Sequence, residues 1–271
     1  VTAVAERVEQ RTRLEQEAWD ALGAVMDPEL DEAITSLGFV RSLDELGDDG
    51  DGQRGRSLRV HLRLPTSFCS PNFAYLMCSD AKDVLEALLG RHGGGRAYVE
   101  LDDHHDSDLI NRGLAADAGY KGTFGHEAES DLDELRLTFR RKAHTAAAER
   151  ALTALLRARP TLGEHDVHAV RVRDLLPGEV TAALLRRRSA LGLSTADDAP
   201  VAVDDHGTPV PPSVVGMWLR KARSTRISID GNAHFCRGLL ATRYPGAEHD
   251  QAPRDEGTSP VPVQLLSRRP A

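Results

Sequence analysis

Residues 57–64 alternate without a break, with Leu58, Val60, Leu62 and Leu64 on one face and Arg59, His61 and Arg63 on the other. That period of two predicts a half-buried strand with one solvated side. Upstream, Val8, Leu14, Ala18, Leu22 and Val25 recur at helical spacing, which predicts a helix over 5–26 that Asp27-Pro28 ends. A short apolar segment, Gly38-Phe39-Val40, precedes the polar, glycine-rich run 43–56, expected to be a flexible loop. Downstream of the strand, Phe73, Leu76, Met77, Val84, Leu85 and Leu88 form the apolar stripe of a helix from about Pro71 to Leu89, with Gly90 closing it. A turn at 92–95, a strand at 97–101 and an acidic run at 102–108 lead into a short helix through Leu114. The order helix, strand, strand, helix, strand, helix predicts an α/β (α+β) fold, a small mixed sheet covered by helices.

Past about residue 122 the character changes. A long basic helix is expected at 131–158, a strand at 167–175, helices at 177–191 and 212–222, and a strand-like RISID at 226–230. The chain therefore divides into a first domain at 1–122, a C-terminal helical or α/β extension at 123–245, and a Pro-, Asp- and Gly-rich tail at 246–271 expected to be disordered.

Composition narrows the function. Acidic residues outnumber basic ones 42 to 34, for a formal charge of −8, which argues against a general affinity for nucleic acid. No run approaches the ~20 apolar residues of a membrane span, and the charged N-terminus lacks the apolar core of a secretory signal. A cytoplasmic protein with no membrane partner is expected. Three cysteines, Cys69, Cys78 and Cys236, are too few and too irregular for a disulfide framework, and none forms Cys-x-x-Cys.

The segment Pro65–Pro71 places Cys69 in a loop that enters a helix. Unpaired N–H groups and the positive end of the helix dipole there stabilise a thiolate, the form that attacks and binds metal. Ser70 is positioned to cap the helix and Pro71 suits its first turn. A small buried hydrophobe at a strand end explains Cys69 about equally well. Cys78, two and a half turns on, reads as packing, and so does Cys236, although His234 two residues before it is a weak metal hint. Asp27 and Glu29 in MDPEL form a paired-carboxylate turn, which taken alone is a helix stop with solvated charges. The run 102–108 sets two histidines among four aspartates, a donor set suited to divalent metals but also an ordinary N-terminal charge bias.

Three of these segments, in this order, resemble one family. MDPELDEAITSLGFV resembles the Asp-Pro-Glu opening of the SufT-like and eukaryotic cytosolic iron–sulfur targeting family. LRVHLRLPTSFCSPNFAYLM resembles its strand, Thr-x-x-Cys-Ser segment and helix, and DDHHDSDLINRGLAAD its later histidine and asparagine stretch. The resemblance covers about residues 15–120 and leaves the C-terminal half unrecognised. It implies a small α/β domain that assists insertion of iron or iron–sulfur clusters into client apoproteins, an accessory maturation factor rather than a catalyst. The family's reactive cysteine aligns with Cys69. Carried over by position, Asp27 and Glu29 match its acidic pair, Thr66 and Ser70 the polar flank, and His105 the later histidine, with Asn111 in the same motif. Cys69 and His105 become the expected ligands of a transiently held iron or iron–sulfur cluster. The partners implied are cluster-assembly proteins, a client apo-metalloenzyme such as an iron-dependent oxygenase, and a second copy in a homodimer. The sequence departs from the family in the length of the loop at 44–56, at Phe68 and Asn72, and at Asp103-His104, where the family has glycine-threonine. Two other classes fit the residues: a thiol enzyme with Cys69 as nucleophile and His61 or His105 as base, and a scaffold docking through the helix at 131–158.

Overall fold

The computed structural model describes residues 12–46, 56–125 and 132–252. Thr12 starts helix α1 (Arg13–Leu22): its hydroxyl accepts the Glu15 N–H at 3.2 Å and the Glu15 carboxylate accepts the Thr12 N–H at 2.8 Å. This reciprocal cap satisfies two N–H groups that the helix leaves open. Leu14, Ala18 and Leu22 share the buried face. The expected start near residue 5 lies outside the described residues, and the helix ends at Leu22, before the expected 26.

A two-residue ribbon follows, β1 (Met26–Asp27) antiparallel to β2 (Glu32–Ala33), then a single turn of helix, α2 (Ile34–Leu37). Gly38 ends that turn at φ +78°, the left-handed conformation that glycine adopts without strain. The main sheet has the order β3-β4-β5, with β3 (Val40–Leu46) antiparallel to β4 (Ser57–Arg63) and β5 (Ala97–Asp102) parallel to β4. The crossover from β4 to β5 is helix α3 (Pro71–Arg91), and α4 (Ser107–Ala115) and α5 (Gly119–Phe124) follow. The mixed sheet covered by helices is thus as expected.

Within that frame three local readings are corrected. Residues 43–46 belong to β3, not to a loop, because the β4 backbone supplies their hydrogen bonds whatever their side chains are; residues 47–55 lie outside the described residues. Helix α3 runs through Gly90 and ends at Arg91 with His92 as its C-cap. Arg63, placed on the solvated side of its strand by alternation, is buried: it donates to the Gly38 carbonyl at 3.2 Å and to the Asp250 carboxylate at 2.6 Å.

The chain forms two compact units, one taking residues up to Phe139 and again from Gly231, the other Arg140–Asp230. Both boundaries between these units fall inside helices, α6 (Leu132–Ala158) and α8 (Val215–Arg243). The core of the first unit joins α1, the sheet, α3 and α4 to Ala233, Leu240 and Ala247 of the returning segment. The expected tail is therefore ordered at its start: Ala247–Asp250 form a 3-10 turn, and the Ala252 N–H donates to the Thr35 carbonyl at 3.0 Å. Residues 253–271 lie outside the described residues.

The described residues of the second unit are helical apart from two isolated β-bridges, and the strands expected there at 167–175 and 226–230 do not form. Its elements are most of α6, helix α7 (Glu179–Ala190), and the first half of α8. Residues 167–175 contribute to two 3-10 turns, Glu164–Ala169 and Val172–Asp174, and RISID lies within α8. Among the described residues no helix is long and apolar enough to cross a membrane.

Candidate functional site

Strand β4 delivers the chain into the loop 64–70, and α3 takes it away, so Cys69 stands two residues before the first helical residue, Pro71. Ser70 is the N-cap residue, as expected, but its side chain makes no capping hydrogen bond; its carbonyl accepts the Phe73 and Ala74 N–H groups at 3.0 Å each. Cys69 is a free, half-exposed thiol whose sulfur lies 3.4 Å from the Thr66 hydroxyl oxygen. Thr66 Oγ1 also accepts the Phe68 N–H at 3.2 Å, which fixes the loop's inner turn.

The loop is gripped from a second side by the residues after β5. His104 is buried, and its Nε2 lies 2.8 Å from the Cys69 carbonyl. A carbonyl can only accept, so Nε2 carries the proton, and Nδ1 accepts the Asp106 N–H at 3.1 Å. Both ring nitrogens are therefore committed to holding backbone. His105, the histidine that the motif selects, is exposed and lays its ring 5.9 Å from that of Phe68. Its backbone N–H donates to the Ser67 carbonyl at 2.9 Å. Phe68 is 82% exposed, an apolar ring presented to solvent beside the thiol.

Asp27 is buried, and one of its carboxylate oxygens accepts the Glu29 and Leu30 N–H groups at 2.9 Å each. Burial pushes its carboxyl up to about 7 against those two hydrogen bonds, with the charges of Glu29 and Glu32 adding to the rise. Glu29 is exposed and accepts from the Asn232 amide at 3.2 Å. Asn111 works elsewhere: its amide brackets Leu101, accepting the N–H at 2.8 Å and donating to the carbonyl at 3.1 Å, which clips α4 to β5. His61 faces Asp102 across the sheet at 2.9 Å.

The second half of α8 completes the site. Arg243 donates to the Leu64 carbonyl at 3.1 Å and the Ser67 hydroxyl at 2.7 Å, and also to the Asp103 carbonyl. It ties the Cys69 loop to the loop carrying His104. Arg237 pairs with the buried Glu32, and Asn232 with Glu29. Between these anchors sits Cys236, half-buried and packed, like Cys69, against the first unit's core. Burial pushes the Cys236 thiol up to about 11, and the negative charges of Asp27, Cys69 and Glu29 add to the rise. Cys78 is fully buried, pushed up to about 12 by burial alone, and is the packing residue expected. His234 is exposed and stands two residues from Cys236 on a helix, which points it away from that thiol. Among the described residues no three His, Cys, Asp or Glu side chains converge as a ready-made metal site.

Reasoning from sequence missed His104 and Arg243 as the side chains that hold the Cys69 loop, whereas Cys236 packs against the core as expected. His104 differs from its neighbour only in orientation, and Arg243 lies on a segment that the motifs do not reach.

Residues 15–94 match the family of iron-sulfur cluster assembly proteins. The matched stretch begins in α1 and ends just past α3, so it contains the Asp27–Glu29 turn and Cys69, while the rest of the chain, with His104 and Cys236, lies beyond it. No curated protein and no solved structure matches the chain.

Proposed function

With residues 15–94 matching the iron-sulfur cluster assembly family, we propose that this protein takes iron or an iron–sulfur cluster as cargo at Cys69 and passes it to a client apo-metalloenzyme. An iron-dependent oxygenase is one such client. The observation that carries this reading is the placement of Cys69, a free, half-exposed thiol on a loop held by His104 and Arg243. A sulfur so placed can meet a metal without the loop first having to fold around it. The exposed ring of Phe68 beside the thiol suits it to touch a client. A homodimer that brings together two copies of Cys69 would supply further ligands while the cargo waits.

The thiol-enzyme reading is less well supported. A general base must reach the nucleophile's proton, and no histidine among the described residues hydrogen-bonds the Cys69 sulfur. An accessory role is the better fit.

The test is anaerobic reconstitution with iron(II) and sulfide, beside a Cys69→Ala variant, measuring iron, acid-labile sulfide and visible absorption. Loss of all three signals in the variant is the expected result. Equal loading of both proteins, or of neither, would remove Cys69 as the cargo-handling thiol.

A further inference from the structure

Helix α8 lays one stripe of residues along the Cys69 site. Asn232, Cys236 and Arg243 are spaced four and seven apart, so they project from the same face. At ~1.5 Å per residue they span roughly 16 Å of the helix axis. The two ends of that stripe are pinned. Asn232 donates to Glu29 at 3.2 Å, next to Asp27, and Arg243 donates to Ser67 at 2.7 Å, two residues before Cys69. Ala233 and Leu240, on the adjoining positions, enter the core against which both thiols pack. Cys236 is thereby held in the interval between the carboxylate turn and the Cys69 loop. The charged groups that act on it are Asp27, Cys69 and Glu29. Cys69 and Cys236, from distant parts of the sequence, thus pack against the same core, and their sulfurs are soft donors of the kind that suits a thiophilic cation.

We propose that Cys236 is a second sulfur ligand at the Cys69 site, so that each chain offers a thiol pair, Cys69 and Cys236, to an iron(II) ion or to the iron of an iron–sulfur cargo. The proposal rests on the reading of Cys69 given above and adds a ligand from outside the matched segment. Binding is acid–base and not redox: each thiol releases its proton to solvent as its sulfur–metal bond forms, and the metal keeps its oxidation state. Positions not filled by the pair remain for sulfide, a client's ligands or a second copy. A homodimer would then reach the complement of four thiolates that clusters commonly take.

Cobalt(II) added to the reduced full-length protein tests this, because sulfur-to-cobalt charge-transfer absorption grows with the number of bound thiolates. The wild type is expected to show about twice the absorption per cobalt of Cys236→Ala, with Cys78→Ala matching the wild type. Wild-type absorption in Cys236→Ala overturns the proposal, and it leaves the Cys69 carrier standing if Cys69→Ala still loses iron and sulfide. Dibromobimane, which fluoresces when both arms are alkylated by neighbouring thiols, checks the pairing in the unsubstituted protein. Fluorescence should appear in the wild type and in Cys78→Ala and vanish with either Cys69→Ala or Cys236→Ala. Its absence from a wild type whose two thiols have both been alkylated also overturns the proposal. Circular dichroism of each variant shows that the loss is chemical and not a failure to fold.

Discussion

Asp27 accepts two backbone N–H groups through one oxygen while burial pushes its carboxyl up to about 7 from an ordinary 3.8. The folded protein thus holds a proton on this group that the unfolded chain releases near pH 4. Stability therefore falls as pH rises through the interval from about 4 to about 7 and levels off above it. An asparagine keeps the accepting oxygen and cannot ionise. Asp27→Asn should match the wild type near pH 4 and exceed it at pH 8, by on the order of 2–4 kcal/mol at ~1.4 kcal/mol per unit. Urea unfolding at stepped pH measures the difference, and parallel profiles for the two proteins would refute the assignment. The sequence marked the Asp-Pro-Glu turn as a helix stop, and that was legible. Its burial was not, since neighbours such as Cys236 come from the far end of the chain. The two histidines show the same limit on a finer scale. Asp103 adopts φ +52°, and this local twist turns His104 inward and leaves His105 exposed, a choice that no composition encodes.

Among the elements, those with a strong period were legible: β4 with its alternating leucines and valine, α3 with its apolar stripe, and β5. Elements set by their surroundings were not. Residues 43–46 are polar, yet an edge strand needs only the backbone of its neighbour. RISID alternates like a strand, but Ile227 is 46% exposed and Ile229 buried, so the isoleucines do not share a face. What fixes that stretch as helix is charge: Arg226 and Asp230, four apart, pair with each other at 3.0 Å and also engage Glu149 and Arg150 of α6. The second half of the same helix carries its own lock. Arg237 donates to the carboxylate of Glu32, only 2% exposed, and to the carbonyl of Ser36. Arg237→Ala withdraws the cation from a buried anion and should cost about 3–5 kcal/mol. Replacing both partners, with Arg237→Met and Glu32→Met, removes the stranded charge as well and should cost less than the single change. Denaturant midpoints of the two variants decide this; a double variant weaker than the single one would mean that the pair does not act as a lock.

At the scale of the molecule, the first unit is discontinuous: the chain leaves it in α6, builds the second unit, and returns along α8 to finish the core. The family match covers only 15–94, and the motifs extend to about 120, so the segment that looks self-sufficient lacks part of its own interior. Leu240 and Ala233 are fully buried there, Ala247 is nearly so, and Asp250 neutralises the buried Arg63 at 2.6 Å. Burying one leucine contributes roughly 1.5–3 kcal/mol, and breaking buried ion pairs costs about 3–5 kcal/mol each. Losing all of these together approaches the ~5–15 kcal/mol by which a whole domain is stable. A chain ending at Phe139 should therefore expose its core and melt without a cooperative transition. Co-expression of residues 231–252 as a separate segment should restore much of the transition, because the contacts that close the core lie on that segment. Near-ultraviolet circular dichroism on heating measures both. A truncated chain that melted as sharply, and at the same temperature, as the full one would show that the family segment folds alone. It follows that removing the whole C-terminal half cannot separate client choice from folding. A deletion meant to probe the second unit must keep residues 231–252, and with them Cys236.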